Sequence, residues 1–460
     1  MKKLWGSRFA KNTSSLADQF SSSIAFDKRL SIHDVKGSIA HAKMLGKCGI
    51  ISLKESQKIV GGLNAILEEI LSGRFKFDTK AEDIHTNIQN ALNKKIGLVA
   101  DKLHTARSRN DQIALDMKMY TLAELKNLVT LTKDLQVSIL KFAQKNNDVI
   151  IPAYTHLQPA QVVLLAHHLL AYLEMLQRDV ERLNDTYKRT DVMPLGSCAL
   201  SGTTLQTDRV FVTKELKFSQ VTSNSIDSIS DRDFVMETLS DLAILSVHLS
   251  RLAEDLILWS TKEFDFVEID WSFCTGSSIM PHKKNPDILE LIRGSVGKIQ
   301  GDLSNVLIMM KGLPLSYNRD MQLDKPPLFN AVDTVKEILV IFAELFKNIK
   351  VNKTSIAKRI DDESLFSVDV MEYLIKKGVS YRQAHDTVGR MVRNCLDKGI
   401  CISGLRLEEL KKYSDKFSTD FKNLLNAKVS VSLKRSYGST NPVLVKKQIE
   451  NWKKRLNARF

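Results

Sequence analysis

The chain has 460 residues, of which 43% are hydrophobic and 26% charged, a composition typical of a globular protein with room for two or three domains. Its 67 Lys and Arg against 53 Asp and Glu give a formal net charge of +14. The lysines are scattered along the chain, and aromatic residues do not interleave with basic ones. Nucleic-acid binding is therefore a minor hypothesis.

Targeting signals and cysteine usage point to the cytoplasm. The first residues, MKKLWGSRFAKNTSS, lack the apolar core of a signal peptide, and no window is apolar for long enough to span a bilayer. The five cysteines have irregular spacing and no Cys-x-x-Cys, which favours reduced thiols over a disulfide framework or a zinc site. We expect a cytoplasmic protein without a metal, a cofactor or a membrane partner.

In chain order, the sequence predicts short elements, then five long helices, then short elements again. The first part contains GGLN and SGRF turns between shorter apolar blocks. Apolar residues then recur at helical spacing in five long blocks, residues 111–145, 160–190, 231–262, 286–311 and 329–349. The last part is broken by KKGVSY, DKGICISG and YGSTNP. The prediction is an all-α chain with three domains, residues 1–105, 106–350 and 351–460.

The length and polarity of these helices bear on assembly. A helix of about 30 residues is about 45 Å long. The second block contains VVLLAHHLLAYLEML, which is apolar around much of its circumference. Such a helix needs cover on several sides, and five helices in one chain barely provide it. We therefore expect the central bundle to be shared between subunits.

Polar residues gather at the ends of the predicted long helices. EDIHTNIQNAL (residues 82–92) and HTARSRNDQ (residues 104–112) place Arg107 and Arg109 before a helix start, where they either bind an anion or are solvated beside an ordinary cap. AYTHLQPAQ (residues 153–161) contains His156, which is either a structural hydrogen-bonding residue or a proton carrier. MPLGSCALSGTT (residues 193–204) lacks the Lys-Ser/Thr ending of a phosphate loop.

The stretch TGSSIMPHKKNP (residues 275–286) has small residues at one end, then His282, Lys283 and Lys284, then Asn285 as a predicted helix cap. One interpretation is a solvated loop before a helix. The other is a mobile loop that closes over a carboxylate and stabilises extra negative charge on it. A further segment, PLSYNRDMQLDKPP (residues 314–327), offers donors suited to carboxylates, namely Tyr317, Arg319, Gln322 and Lys325.

GSSIMPHKKNP resembles the signature loop of the fumarase/aspartase superfamily, whose members release fumarate by cleaving C–N or C–O bonds. Within that superfamily, the chain is similar to the argininosuccinate lyase family through LWGSRF, EDIHT, TARSRNDQ, YTHLQPAQ, YNRDMQLDK and YGSTNP. The resemblance implies a homotetramer with a twenty-helix core and active sites built from loops of three subunits. It also implies reversible β-elimination that cleaves the C–N bond of argininosuccinate through an aci-carboxylate, giving arginine and fumarate.

The resemblance also implies roles for individual residues. Ser277 would abstract the proton from the carbon β to the leaving nitrogen, and Lys283 with Asn285 would stabilise the resulting dianion. His156, paired with Glu290, would serve the other proton transfer. A hydroxyl is a poor base, so Ser277 needs nearby donors that favour its alkoxide. The implied substrate contacts are Ser23, Ser108, Arg109, Asn110, Thr155, Asn285, Tyr317, Gln322 and Lys325, with Asp83, His85 and Arg232 as further candidates.

The sequence departs from the family pattern outside the implied catalytic set, and Pro159 and the apolar run after Gln161 differ from many relatives. His282 stands where the family more often has glutamine, and Cys198 interrupts a turn that more often reads Gly-Ser-Gly. Other hypotheses stay open: another fumarate-releasing lyase (adenylosuccinate lyase, aspartase or fumarase), a crystallin-like structural protein on the same fold, or a basic nucleic-acid-binding scaffold. Retention of Ser277, Lys283 and His156 argues against the structural protein.

Overall fold

The computed structural model describes residues 14–456, so the LWGSRF segment lies outside the described residues. The described chain is mainly helical, as predicted. Its α-helices are α1 Ser15–Ser21, α2 Ile24–Asp27, α3 Ser31–Lys47, α4 Leu53–Leu71, α5 Ile84–Ile96, α6 Arg109–Lys145, α7 Leu165–Thr190, α8 Arg209–Leu216, α9 Ser225–Ser230, α10 Asp233–Ser260, α11 Asp287–Met310, α12 Lys325–Asn348, α13 Lys353–Ile360, α14 Ser367–Lys376, α15 Tyr381–Lys398, α16 Leu407–Tyr413, α17 Ala427–Leu433 and α18 Pro442–Arg455.

Short 3-10 helices and four two-stranded sheets complete the described secondary structure. The 3-10 helices are Lys28–Leu30, Gly97–His104, Trp271–Phe273, Arg319–Asp324, Glu363–Phe366, Ile402–Gly404 and Thr419–Leu424. The strands are β1 Ile150–Thr155, β2 Gln158–Leu164, β3 Val192–Met193, β4 Gln220–Val221, β5 Val267–Glu268, β6 Thr275–Gly276, β7 Lys284–Asn285 and β8 Lys350–Val351. They pair as β1–β2, β5–β8 and β6–β7, all antiparallel, and β3–β4, which is parallel.

Four of the five predicted long helices lie close to their predicted bounds, as α6, α10, α11 and α12. The prediction of a helix from residue 160 was wrong at its start, because α7 begins at Leu165 and the preceding residues form β2. Val162 and Val163 pair with Pro152 and Ile151 across the hairpin. Branching at Cβ suits these valines to a pleated surface, and the apolar run alone did not distinguish strand from helix.

One compact unit comprises the chain up to Val129 together with Glu181–Ile244 and Gly297–Val335. In it α3 packs against α4, and α4 packs against α5, around a core that includes Leu45, Ile59 and Leu92. Gly62 allows the close approach of α4 and α5, since a Cβ there would lie 2.7 Å from Cδ1 of Leu92. The polar segment of residues 82–92 includes the start of α5.

A second compact unit comprises Thr130–Val180, Leu245–Val296 and the chain from Lys336 onward. The β1–β2 hairpin packs against α13 and α17, and the backbone N–H of Leu164 donates to Oγ1 of Thr440 at 2.7 Å. The pair α14 and α15 buries a separate core that includes Met391 and Phe421. The division into three domains stays a prediction.

No helix within residues 14–456 combines the length and the apolar character needed to cross a membrane.

Candidate active site

The segment before α6 is held in place by Asp111. Its Oδ1 accepts the N–H of Ser108 at 3.0 Å, and its Oδ2 accepts the N–H groups of Gly196 and Cys198 at 3.0 and 2.8 Å. The side chain of Asn110 donates to the carbonyl of Ala199 at 3.0 Å. Burial raises the pKa of Asp111 to about 6, against the opposing effect of these N–H groups. The carboxylate therefore ties HTARSRNDQ to the Gly-rich turn, two segments that the sequence had left unconnected.

Arg109 is fixed from two sides at the start of α6. Its Nη1 donates to Oε1 of Gln112 at 3.0 Å, and its Nε lies 3.4 Å from Oδ2 of Asp83. Asp83 also caps α5 by accepting the N–H of Thr86. Burial raises the pKa of the Asp83 carboxyl, but His85 and Arg109 lower it more, so it is held below its ordinary value. Two acceptors therefore hold the guanidinium in one orientation, and its binding of an anion stays a prediction.

Ser23 and Lys325 lie in the same buried, charged region. The hydroxyl of Ser23 donates to Oδ2 of Asp27 at 2.5 Å. Nζ of Lys325 lies 3.0 Å from Oδ1 of Asp324, whose Oδ2 accepts from Nε of Arg232 at 2.5 Å. Burial raises the pKa of Asp27, and Ser23, His85 and Lys325 oppose that rise. Both carboxylates therefore lie among the cations that were predicted to contact substrate.

The segment of residues 317–325 completes this cluster in the first unit. Nε2 of Gln322 and Nη2 of Arg319 both donate to the carbonyl of Ser21, at 3.2 and 2.7 Å. Burial raises the pKa of Tyr317, whose charged neighbours include Arg232 and Asp83. The first unit therefore brings Ser23, Arg109, Tyr317, Gln322 and Lys325 into one cluster, and their contact with substrate stays a prediction.

His156 lies at the tip of the β1–β2 hairpin. Thr155 pairs with Gln158, which leaves His156 and Leu157 as the two turn residues, with φ of 55° and 57°. Two successive positive φ angles define the tight turn that favours Asn-Gly, and here neither residue is glycine. Non-glycine residues held at positive φ cost energy and cluster at functional sites. The turn presents the His156 ring on an exposed tip.

Ser277 lies in a loop whose base is closed by the β6–β7 pairs Thr275↔Asn285 and Gly276↔Lys284. Oγ of Ser277 accepts the N–H of Met280 at 3.0 Å and that of Ile279 at 3.4 Å. Two N–H donors on the hydroxyl oxygen favour its deprotonated form. Both donors are thus backbone N–H groups of the loop itself.

The remaining predicted residues of this loop lie at its exposed end and at the start of α11. Lys283 and Glu290 are exposed. Asn285 does not cap α11 as predicted, because its backbone is paired in β7, and the carbonyl of Pro286 accepts the first helical N–H groups, from Leu289 and Glu290. Within residues 14–456 no hydrogen bond or ion pair joins the exposed His156 and Glu290, and their pairing stays a prediction.

Sequence reasoning missed the buried residues that hold the predicted ones. Asp34 accepts from both Gln112 and His85, and Asp116 lies beside it. Asp34, His85 and Asp116 form the one group of side chains within the described residues that is suited in spacing to a metal ion. A signal was present, because Arg109, Gln112 and Asp116 are spaced to share one face of α6.

The chain matches two family models and several curated proteins. Residues 7–301 match a family model described as Lyase, and residues 365–432 match one described as Argininosuccinate lyase C-terminal. The chain is 49% identical to an argininosuccinate lyase of Alkaliphilus metalliredigens over 96% of each chain. It is 47% identical to that of Pelotomaculum thermopropionicum over 100% of each chain.

Solved structures agree with this result. A variant of EDDS lyase with bound fumarate has a TM-score of 0.83 and 26% identity, covering 97% of this chain and 91% of that chain. A class II fumarase from Schistosoma mansoni shares the fold alone, with a TM-score of 0.75 and 16% identity over 90% of this chain and 93% of that chain. The chain belongs to the argininosuccinate lyase family.

Proposed function

We propose that the chain cleaves the C–N bond of argininosuccinate reversibly, giving arginine and fumarate, as a step of arginine biosynthesis in the cytoplasm. The observation that carries this proposal is the similarity of 47–49% over 96% or more of the chain to argininosuccinate lyases. The five free cysteines are compatible with the reducing cytoplasm. No cofactor is needed, because the side chains supply the proton transfers and the charge stabilisation.

In the proposed mechanism, Ser277 removes the proton from the carbon next to a carboxylate, β to the leaving nitrogen. The N–H groups of Ile279 and Met280 on Oγ support this role, since they favour the alkoxide. The electron pair moves into the carboxylate and forms an aci-carboxylate with two negative charges. Lys283 and Asn285 stabilise this dianion, which is the electrostatic contribution that such a step requires most.

The second half of the mechanism breaks the C–N bond and protonates the leaving guanidino nitrogen. We assign that proton to His156, paired with Glu290. The exposed hairpin tip supports the assignment, because it gives the imidazole access to a substrate. Arg109, Tyr317, Gln322 and Lys325 bind the substrate's carboxylates, with Ser23, Ser108, Asn110 and Thr155 completing the contacts.

We also propose a homotetramer with a twenty-helix core, in which loops of three subunits form each active site. Five helices of 37, 26, 28, 24 and 24 residues per chain would supply that core. Exposed apolar side chains on two of them support a shared bundle, since Leu291 and Ile308 of α11 and Val340 of α12 are 68%, 66% and 54% exposed.

The test is incubation of the purified chain with argininosuccinate while fumarate absorbance and released arginine are measured. We expect turnover by the wild type, near-complete loss in Ser277→Ala and little change in Ser278→Ala, an adjacent serine that serves as the matched control. Activity on adenylosuccinate, aspartate or malate instead would assign the chain to another lyase. Equal turnover by Ser277→Ala and the wild type would remove Ser277 from the mechanism.

A further inference from the structure

Behind Arg109 lies a buried polar cluster that the proposed mechanism does not use. Asp34 of α3 and Asp116 of α6 are 1% and 0% exposed. Oδ1 of Asp34 is 2.8 Å from Nδ1 of His85 and accepts from Nε2 of Gln112 at 2.5 Å. Neither oxygen of Asp116 has a hydrogen-bond partner, and Oδ2 of Asp34 has none either. Unpaired carboxylate oxygens in a dry interior are costly, so this arrangement needs an explanation.

The amide of Gln112 connects the cluster to the predicted substrate-binding guanidinium. Its NH₂ group donates to Asp34, and its Oε1 consequently faces Nη1 of Arg109 at 3.0 Å. A flipped amide would point its donors at the guanidinium and its oxygen at a carboxylate, so both contacts would become repulsive. Asp34 therefore fixes the orientation of Gln112, and Gln112 with Asp83 fixes Arg109.

The charges around Asp34 and Asp116 bear on whether a proton or a cation lies between these two carboxylates. The groups that face Asp116 are Asp27 from α2, Asp34 from α3, His85 from α5 and the buried Arg107 before α6. Arg107 and an ionised Asp34 balance each other. A proton on Asp116 adds no charge to the pair of Arg107 and Asp34, whereas a divalent cation between two ionised aspartates would add one net positive charge to that pair.

Electrostatics favours the neutral form of Asp116 in this arrangement. Burial and the neighbouring Asp34 raise the pKa of Asp116 well above its ordinary value. The pKa of Asp34 moves the other way, because His85, Arg107 and Gln112 outweigh its burial. A protonated Asp116 has an O–H to donate to the unpaired Oδ2 of Asp34, which would leave one oxygen of Asp116 without a partner.

We infer that Asp34 is a positioning residue: it orients Gln112 and through it the guanidinium of Arg109. The inference rests on the proposed function, in which Arg109 binds the substrate.

The experiment is a double-mutant cycle with argininosuccinate as substrate. We expect Asp34→Asn and Gln112→Met each to raise KM about tenfold, the effect of one lost hydrogen bond of ordinary strength, with a smaller change in kcat. Because both changes break one chain of contacts, the double variant should match the single ones. Effects that multiply in the double variant would overturn the inference.

Further variants keep the test decisive if Asp34→Asn fails to fold. Gln112→Glu keeps an acceptor for Arg109 but turns a second oxygen toward Asp34, so it should raise KM, and an unchanged KM would contradict the inference. Asp116→Val should also raise KM, and Asp116→Asn, which mimics a neutral acid with its NH₂ donor, should recover most of the loss. Failure of Asp116→Asn to do so, together with inhibition of the wild type by a chelator, would indicate a metal ion instead.

The control is Asp369→Asn. Asp369 is also buried, and it accepts from Ser430 and Lys434 at 2.6 Å in the C-terminal part of the chain. It should lower thermal stability without changing KM. If it raised KM as Asp34→Asn does, KM would be reporting general destabilisation and the inference would fail. Absence of turnover in the wild type would overturn the proposed function as well, whereas an active wild type with multiplying effects would overturn the positioning role alone.

Discussion

Replacement of Asp324 tests how the charged cluster is held together. Its carboxylate accepts from Nε of Arg232 at 2.5 Å and lies 3.0 Å from Nζ of Lys325. The three side chains are at most 3% exposed. In Asp324→Asn one carboxylate oxygen becomes an NH₂ group, so one buried cation would face a donor and both would lose the negative charge. Breaking one partner of a buried ion pair costs about 3–5 kcal/mol, and we expect a loss of unfolding free energy in that range.

The matched control is Asp333→Asn, the same change at a surface pair. Asp333 lies 2.6 Å from Nη2 of Arg29, and these side chains are 43% and 37% exposed. Surface ion pairs contribute about 0–1 kcal/mol, because water already solvates both groups. Urea unfolding of the two variants and the wild type, at one protein concentration, measures the difference. Equal losses in both variants would refute the argument that burial makes the Asp324 contacts strong.

Three further predictions concern the backbone, the hairpin and pH. Gly196 has φ of 92°, and a Cβ there would lie 2.8 Å from Cγ of Arg209. Gly196→Ala should therefore lower the unfolding free energy by about 1–3 kcal/mol in urea titrations. The loss should exceed that of Gly202→Ala, where φ is 78° and a Cβ would have no atom within 4 Å. His156→Asn should abolish turnover in the fumarate assay. The thermal midpoint of unfolding should stay unchanged, because Asn tolerates the positive φ at this position. A lowered midpoint would mean that the imidazole supports the fold. Burial raises the pKa of Asp111 from 3.8 to about 6, so the contribution of its proton to stability is fully present at low pH and is lost as pH rises through about 6. In Asp111→Asn the unfolding free energy from urea titrations should therefore change less between about pH 4 and about pH 6 than in the wild type. An unchanged pH dependence would contradict the assignment.

The long helices were predictable because their signal is local. Residues 109–145 form α6, and the apolar stripe of the sequence had predicted 111–145. The β1–β2 hairpin was not predicted, since its register depends on pairing between Ile151 and Val163 rather than on either segment alone. A break in helical character was nevertheless marked by Pro152 and Pro159.

The candidate site likewise has a part that the sequence predicts and a part that it does not. Its polar segments could be found from the sequence, because the side chains that would meet substrate are clustered at the ends of predicted helices. Their supports could not, because Asp34 reaches Gln112 across 78 positions of the chain and Arg232 reaches Asp324 across 92. Such contacts depend on tertiary packing, which apolar periodicity predicts only as a buried face.

In the proposed active site, substitutions of ion-paired residues and substitutions of exposed residues should change different kinetic constants. Arg109 and Lys325 are held by protein carboxylates before any substrate arrives, so they offer fixed geometry for binding at little cost in ordering. His156 and Lys283 are exposed and have no ion pair within residues 14–456. In the proposed mechanism, their charge and protons would act only once the loop and the hairpin enclose the substrate and the dianion forms. Substitutions of the first pair should therefore act mainly on KM and substitutions of the second mainly on kcat. Steady-state kinetics of Lys325→Met and Lys283→Met would measure that contrast, and a matched fall in kcat for both would contradict it.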